Sequence, residues 1–187
     1  MRFIKKLIVL VLLFAVLVTA GFCYICISFP LLHPTEVKKY CTEYSLEPSL
    51  VYAIIKTESN FSPEVESHVG ARGLMQLMPE TIDWAVENIP IKPFSYADIN
   101  KPDMNIHIGC WVLRFLLDAF DNDETLSIAA YNAGIGTVNT WLADETVSRD
   151  GENLHNIPYG ETRLYVRKVC LYKAVYDILF RTGFYEL

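Results

Sequence analysis

Apolar residues follow two regimes along this chain. From residue 7 to residue 29 no charged side chain interrupts them. From residue 36 onward they return every three or four positions, the period of one helix face. The first run is long enough for a helix across a hydrocarbon core of about 30 Å, and Pro30, His33 and Pro34 then break it. Residues 36–44 read as a short amphipathic helix, and Pro48 suits the first turn of the next, where its missing N–H is not needed. In that helix Leu50 or Val51, Ile54 and Ile55 recur at the helical period, and the stripe continues to Glu58, which is expected to face inward or toward a cleft.

Further along, residues 81–87 form a predicted helix carrying Trp84. Met104, Ile108, Trp111 or Val112, Phe115 and Ala119 make a longer buried stripe, with Asp103 as its expected N-cap. Asp123 opens a helix over 124–132 that Ala133-Gly134 ends, Gly134 suiting the left-handed position after a helix. A short helix over 137–142 and a polar loop over 144–158 precede a final helix over 161–181. There Tyr165, Val169, Tyr172, Tyr176 and Leu179 alternate at spacings of four and three, and Gly183 closes the helix. With no alternating strand pattern and no internal repeat, the prediction is a mainly α, single globular domain after one N-terminal transmembrane helix.

The chain has 187 residues, room for one membrane segment and one domain of roughly 150 residues. Arg2, Lys5 and Lys6 precede the apolar run and no acid precedes Glu36. By the positive-inside rule, residues 1–6 are expected in the cytoplasm, residues 7–29 across the cell membrane, 30–35 as a short stalk, and 36–187 as an extracytoplasmic domain. A cleaved signal peptide competes, since Val18-Thr19-Ala20 precedes Gly21, but the apolar run outlasts the usual signal core of about 7 to 15 residues. Phe22 before Cys23 does not fit a lipoprotein box.

Charge and cysteines narrow the function classes. Past the three N-terminal basic residues stand 13 basic and 22 acidic side chains, a balance of −9, which argues against nucleic acid or an anionic surface as a charge-driven partner. Cys23 and Cys26 fall in the apolar run, and Cys41, Cys110 and Cys170 read as small buried residues, with one disulfide among these three left open. Neither they nor His68, His107 and His155 show metal-ligand spacing. Trp84, Trp111 and Trp141 lie in helical stripes and read as core.

Glu58 carries the candidate chemistry. It sits on an apolar face near a helix C-terminus, where the negative end of the helix dipole and desolvation both oppose ionisation. A carboxyl so placed can keep its proton near neutral pH and deliver it to a leaving group, but periodicity alone fits a solvated helix-end glutamate better, and only the motifs around Glu58 set it apart.

Four motifs surround this residue in order: Glu58-Ser59, the string Gly73-Leu74-Met75-Gln76-Leu77-Met78-Pro79, Ala130-Tyr131-Asn132-Ala133-Gly134, and Glu161-Thr162-Arg163 with Tyr165-Val166. Over about residues 40–182 the chain resembles the catalytic domain of the soluble lytic transglycosylase (SLT) family, related in fold to goose-type lysozyme. The resemblance implies a lysozyme-like fold and cleavage of the β-1,4 bond between N-acetylmuramic acid and N-acetylglucosamine in peptidoglycan glycan strands, without metal or organic cofactor. Most glycosidases flank the bond with two carboxylates, whereas this family uses one. By the resemblance, Glu58 first protonates the glycosidic oxygen and then, as a carboxylate, takes the proton from the muramoyl O6 hydroxyl, leaving a 1,6-anhydro end.

Other motif positions take roles by the same resemblance. Ser59 supports the structure around Glu58, and Ser67 bonds the substrate acetamido group. Gly73 permits close backbone approach, Gln76 offers an amide to sugar, and Met78 forms an apolar cleft wall. Tyr131 contacts the catalytic glutamate through its hydroxyl, and Asn132 helps shape that site. Glu161 is a substrate contact or support across the cleft, with Tyr165 on the same wall. A hydrolytic muramidase and a non-catalytic cell-wall-binding scaffold are the competing functions.

Overall fold

The computed structural model describes residues 2–91 and 93–187. Eight α-helices follow one another among them: α1 (Arg2–Ser28), α2 (Pro34–Glu43), α3 (Pro48–Glu58), α4 (Pro79–Asn88), α5 (Pro102–Ala119), α6 (Glu124–Ala133), α7 (Ile135–Leu142) and α8 (Gly160–Arg181), with a single 3₁₀ turn at Tyr96–Asp98. No strand occurs among the described residues, only isolated bridges joining Arg72 to Glu66 and Leu77. Helix α1 forms a unit by itself, and by length and composition it is long and apolar enough to cross a membrane.

Residues 33–187 form the second unit. Four of its helices open on proline at the first turn, Pro34, Pro48, Pro79 and Pro102, where the fixed φ favours the helix and the absent N–H has no intrahelical partner to lose. Helix α3 runs through the middle, with every residue from Ser49 to Ile55 buried. It lies along α8, and α2 and α6 complete the packing around this pair. On α8 the predicted face holds, since Tyr165, Val169, Tyr176 and Leu179 are buried.

The structure corrects several expectations. Asp103 does not cap α5: Lys101 occupies the cap position, Pro102 follows it, and Asp103 instead accepts from the Tyr40 hydroxyl at 2.9 Å and pairs with Lys39 at 3.2 Å. The buried side of α5 is wider than the predicted stripe and rotated from it. Ile106, Cys110, Leu113 and Leu117 are inside while Phe115 and Ala119 are exposed, because α2, α4 and α6 all pack on this helix. Trp84 and Trp111 are consequently half-buried, Trp111 stacked with Phe115 and Trp84 meeting it edge-on, and among the three tryptophans only Trp141 is core. Cys41 and Cys110 are buried as expected, Cys170 is exposed, and all five thiols are free. Asp123 does cap α6, accepting from Leu126 N–H at 2.8 Å. Gly134, at φ 85°, both ends α6 and opens α7, which therefore starts two residues before the predicted 137.

Candidate active site

Glu58 is the last residue of α3, and the chain turns immediately after it. Asn60 and Phe61 adopt positive φ of 48° and 65°, and Phe61 is buried against Tyr52 with ring centroids 6.0 Å apart. The loop of residues 59–78 then folds back over the helix end. Ser59, buried, donates its hydroxyl proton toward the Leu74 carbonyl at 2.8 Å and the Ile55 carbonyl at 3.2 Å, tying the returning loop to the turn that carries Glu58.

Within the loop, backbone pairing is extensive. Arg72 and Leu77 exchange N–H···O bonds of 3.0 Å each, and Gly73 N–H donates to Val65 O at 3.0 Å. Gly73 sits at φ 79°, and a Cβ there would meet Asn105 Nδ2 at 2.2 Å. The close approach at this glycine is to Asn105 of α5. Gln76 is likewise turned inward: at φ 47° its Nε2 donates to Val65 O at 3.0 Å and Gly73 O at 2.9 Å. Both amide protons thus hold the loop, which corrects the expectation that they serve sugar. Ser67 is half-buried and its hydroxyl oxygen accepts from Ala71 N–H at 2.9 Å. Met78, half-buried, ends the loop at the cap position of α4.

Asn105 is the residue that sequence reading missed. It is fully buried and satisfied at every position: Oδ1 accepts from Met75 N–H at 2.8 Å, and Nδ2 donates to Arg72 O and Ile99 O, each at 3.0 Å. An asparagine between Met104 and Ile106 on an apolar helix was its signal in the sequence, since a buried amide needs several partners.

Two tyrosines from distant helices close over the helix end. Tyr165 of α8 is buried and donates its hydroxyl to Glu58 Oε1 at 2.6 Å. Tyr131 of α6 donates to the Met75 carbonyl at 2.9 Å, although its phenol remains in electrostatic range of Glu58. The two expectations are therefore exchanged: the direct hydroxyl contact to Glu58 belongs to Tyr165. A hydroxyl has one proton to give, and Tyr131 gives it to the loop.

Burial pushes the Glu58 carboxyl up to about 7, with the Tyr165 bond opposing that rise in part. Both phenols are held well above their ordinary range, by burial first and by the neighbouring Glu58 charge second, so both stay protonated donors. A cavity of about 600 Å³ is lined by Asn132, the residue after Tyr131, together with Ala133, Pro158, Tyr159, Glu161 and Thr162. Asn132 and Glu161 thus face one space, one turn before Tyr165 on α8. The arrangement offers a single carboxyl shifted up to about 7 and an oriented donor on one of its oxygens.

Comparison with known proteins places the chain in a family. The family described as the transglycosylase SLT domain matches residues 36–153. The soluble lytic murein transglycosylase of Escherichia coli K12 is 39% identical over 150 residues, which is 79% of this chain and 23% of that protein. The putative soluble lytic murein transglycosylase of Haemophilus influenzae is 33% identical over 167 residues, 88% of this chain and 28% of that protein. Among solved structures, an inactive mutant of the lytic transglycosylase Slt from Pseudomonas aeruginosa superimposes with a TM-score of 0.75 at 33% identity, covering 84% of this chain and 26% of that one. The 70 kDa soluble lytic transglycosylase of E. coli gives 0.73 at 35% identity, over 81% and 25%. The chain thus spans about a quarter of the length of these relatives. With the family match covering well over half of its residues and the same helical fold recurring in both solved relatives, the chain belongs to the transglycosylase SLT domain family, as a mainly α, lysozyme-like member.

Proposed function

We propose that this protein is a peptidoglycan lytic transglycosylase that cleaves the β-1,4 bond between N-acetylmuramic acid and N-acetylglucosamine, with Glu58 as the single acid and base. The observation that carries this reading is the Glu58–Tyr165 pair: a half-buried carboxyl poised at about 7, with one oxygen fixed by a phenol O–H. Because Tyr165 donates to Oε1, that oxygen acts as acceptor and the transferable proton belongs on Oε2. Near neutral pH comparable fractions of the enzyme carry and lack this proton, so one residue serves both half-reactions.

In the first step Glu58 protonates the glycosidic oxygen as the C1–O bond breaks. In the second, the Glu58 carboxylate removes the O6 proton of the muramoyl unit as that oxygen bonds to C1, closing the 1,6-anhydro ring and regenerating the acid. The attacking group is already held within the substrate, which favours ring closure over attack by water. Asn132, Glu161, Met78 and the Ser67 hydroxyl are the groups we assign to holding sugar. Gln76 retains only its carbonyl oxygen for such a contact, and Gly73 supports the loop.

Helix α1 suits a membrane anchor spanning residues 7–29, with the N-terminus in the cytoplasm and residues 36–187 outside. The relative named membrane-bound lytic murein transglycosylase C, from Actinobacillus pleuropneumoniae, is 34% identical over 112 residues, 54% of this chain and 30% of that protein, and its name supports membrane attachment but not the orientation. Mass spectrometry of digested peptidoglycan tests the reaction class. The proposal requires 1,6-anhydromuramic ends; reducing muramic ends mean a hydrolytic muramidase instead.

A further inference from the structure

The Met75 peptide joins the buried framework to the candidate catalytic centre. Its N–H is bound by Asn105 Oδ1 at 2.8 Å, and its carbonyl accepts the Tyr131 hydroxyl at 2.9 Å. Asn105 also binds Arg72 O and Ile99 O, and it fills the space that Gly73 leaves open. Met75 itself is buried against Gly109, where a Cβ would meet its sulfur at 2.3 Å. This peptide is held from α5 on one side and read by α6 on the other.

The consequence concerns which donors reach Glu58. Two titratable groups face its carboxyl, Tyr165 from α8 and Tyr131 from α6. The charged pair on the covering loop, Glu66 with Arg72 at 3.0 Å, lies at the surface. The Met75 backbone, the Asn105 amide and the Arg72 and Ile99 carbonyls that this amide binds make up the rest of this chain of hydrogen bonds, and none of these groups titrates. Of the two phenols, Tyr165 already donates to Glu58, while the proton of Tyr131 is taken by Met75 O. We propose that Asn105 is a positioning residue: by fixing the Met75 peptide it keeps the Tyr131 hydroxyl on the Met75 carbonyl and leaves Glu58 with one phenol donor instead of two. A second O–H on the carboxylate would favour its charged form and weaken it as an acid.

This inference rests on the reading of Glu58 as the acid only for its functional meaning; the hydrogen-bond arrangement is testable without activity. The experiment is titration of the Glu58 carboxyl by difference infrared spectroscopy on the full chain in detergent, with Glu58→Gln as the reference that removes its signal. Asn105→Ser frees Met75 and is expected to move the Glu58 midpoint to lower pH by about one unit. Asn105→Ser combined with Tyr131→Phe is expected to return the midpoint to within a few tenths of the wild-type value, because no second hydroxyl remains. A merely structural role for Asn105 predicts no such reversal, and an unchanged midpoint in Asn105→Ser overturns the proposal. Tyr131→Phe alone covers the case in which Asn105→Ser does not fold. It is expected to leave the midpoint in place, and a rise of a unit would mean that Tyr131 already donates to Glu58, which contradicts the inference. Should these titrations behave as expected in a protein that releases no anhydro ends, the catalytic reading fails and the positioning role stands.

Discussion

Tyr165 and Glu58 lie 107 positions apart in sequence and 2.6 Å apart in space, the phenol O–H of one donated to Oε1 of the other. This bond partly offsets the rise in the Glu58 midpoint that burial causes, and it occupies one carboxyl oxygen as acceptor. Removing it in Tyr165→Phe takes away the one interaction opposing the upward shift, so the Glu58 midpoint rises above its present value of about 7. The alkaline limb of kcat/KM, where the acid loses its proton, is expected to move up by roughly one pH unit. We expect kcat to fall by about tenfold or more, since the proton is no longer directed to one oxygen. A pH series of both proteins on purified glycan strands measures the two effects together.

Stability should respond to pH through the same residue. Folding raises the Glu58 midpoint from 4.5 to about 7, so the folded state holds the proton more tightly than the unfolded chain does. Stability from this source is greatest below the unfolded value and declines as pH rises through about 7, beyond which the loss is complete. Glu58→Gln cannot ionise and escapes that loss. We expect it to be more stable than wild type at pH 8 by about 2 kcal/mol, after allowing for the partial exposure of the group, with little difference at pH 4. Thermal melts at the two values check this.

Gly73→Ala is expected to be severely destabilising. The new methyl would press on Asn105 Nδ2 at 2.2 Å, and the residue would have to keep φ 79°. Asn105 cannot move aside without giving up three bonds, so the cost should reach about 3 kcal/mol or more. Urea denaturation of the purified variant measures it. A change under 1 kcal/mol would show that the loop yields more easily than its bonding implies.

Gln76→Ala distinguishes a loop brace from a sugar contact. It deletes two donors to Val65 O and Gly73 O and should destabilise by about 1 to 2 kcal/mol. Limited proteolysis is expected to quicken within residues 62–77. A pure increase in KM with unchanged stability and cleavage pattern would instead restore the sugar-binding role.

Much of this architecture was legible from local signals. Pro48 at a first turn, the Asp123 cap and most of the α8 stripe depend on near neighbours in sequence and appear as read, although Tyr172 is only half-buried. Helical period carries Glu58 toward the interior, but the motifs around it set it apart from a solvated helix-end glutamate. What escaped depends on distant partners. The α5 stripe came out rotated because three helices pack on α5, and sequence period reports one face at a time. Tyr131 and Tyr165 were both assigned to the cleft, but which phenol reaches Glu58 depends on where the Met75 carbonyl lies. Gln76 reads as an outward amide until its positive φ turns it into the loop. Asn105 looks like an ordinary polar residue of α5 until Met75, Arg72 and Ile99 converge on it.

The central claim, that Glu58 is the acid and base of an anhydro-forming cleavage, is tested most directly by comparing wild type with Glu58→Gln at neutral pH and counting 1,6-anhydromuramic ends by mass spectrometry. The substitution keeps the shape and an acceptor for Tyr165 while removing the proton. Wild type should generate anhydro ends, and the variant should generate at least about a thousandfold fewer while still binding glycan. Equal release by the two proteins would contradict the account.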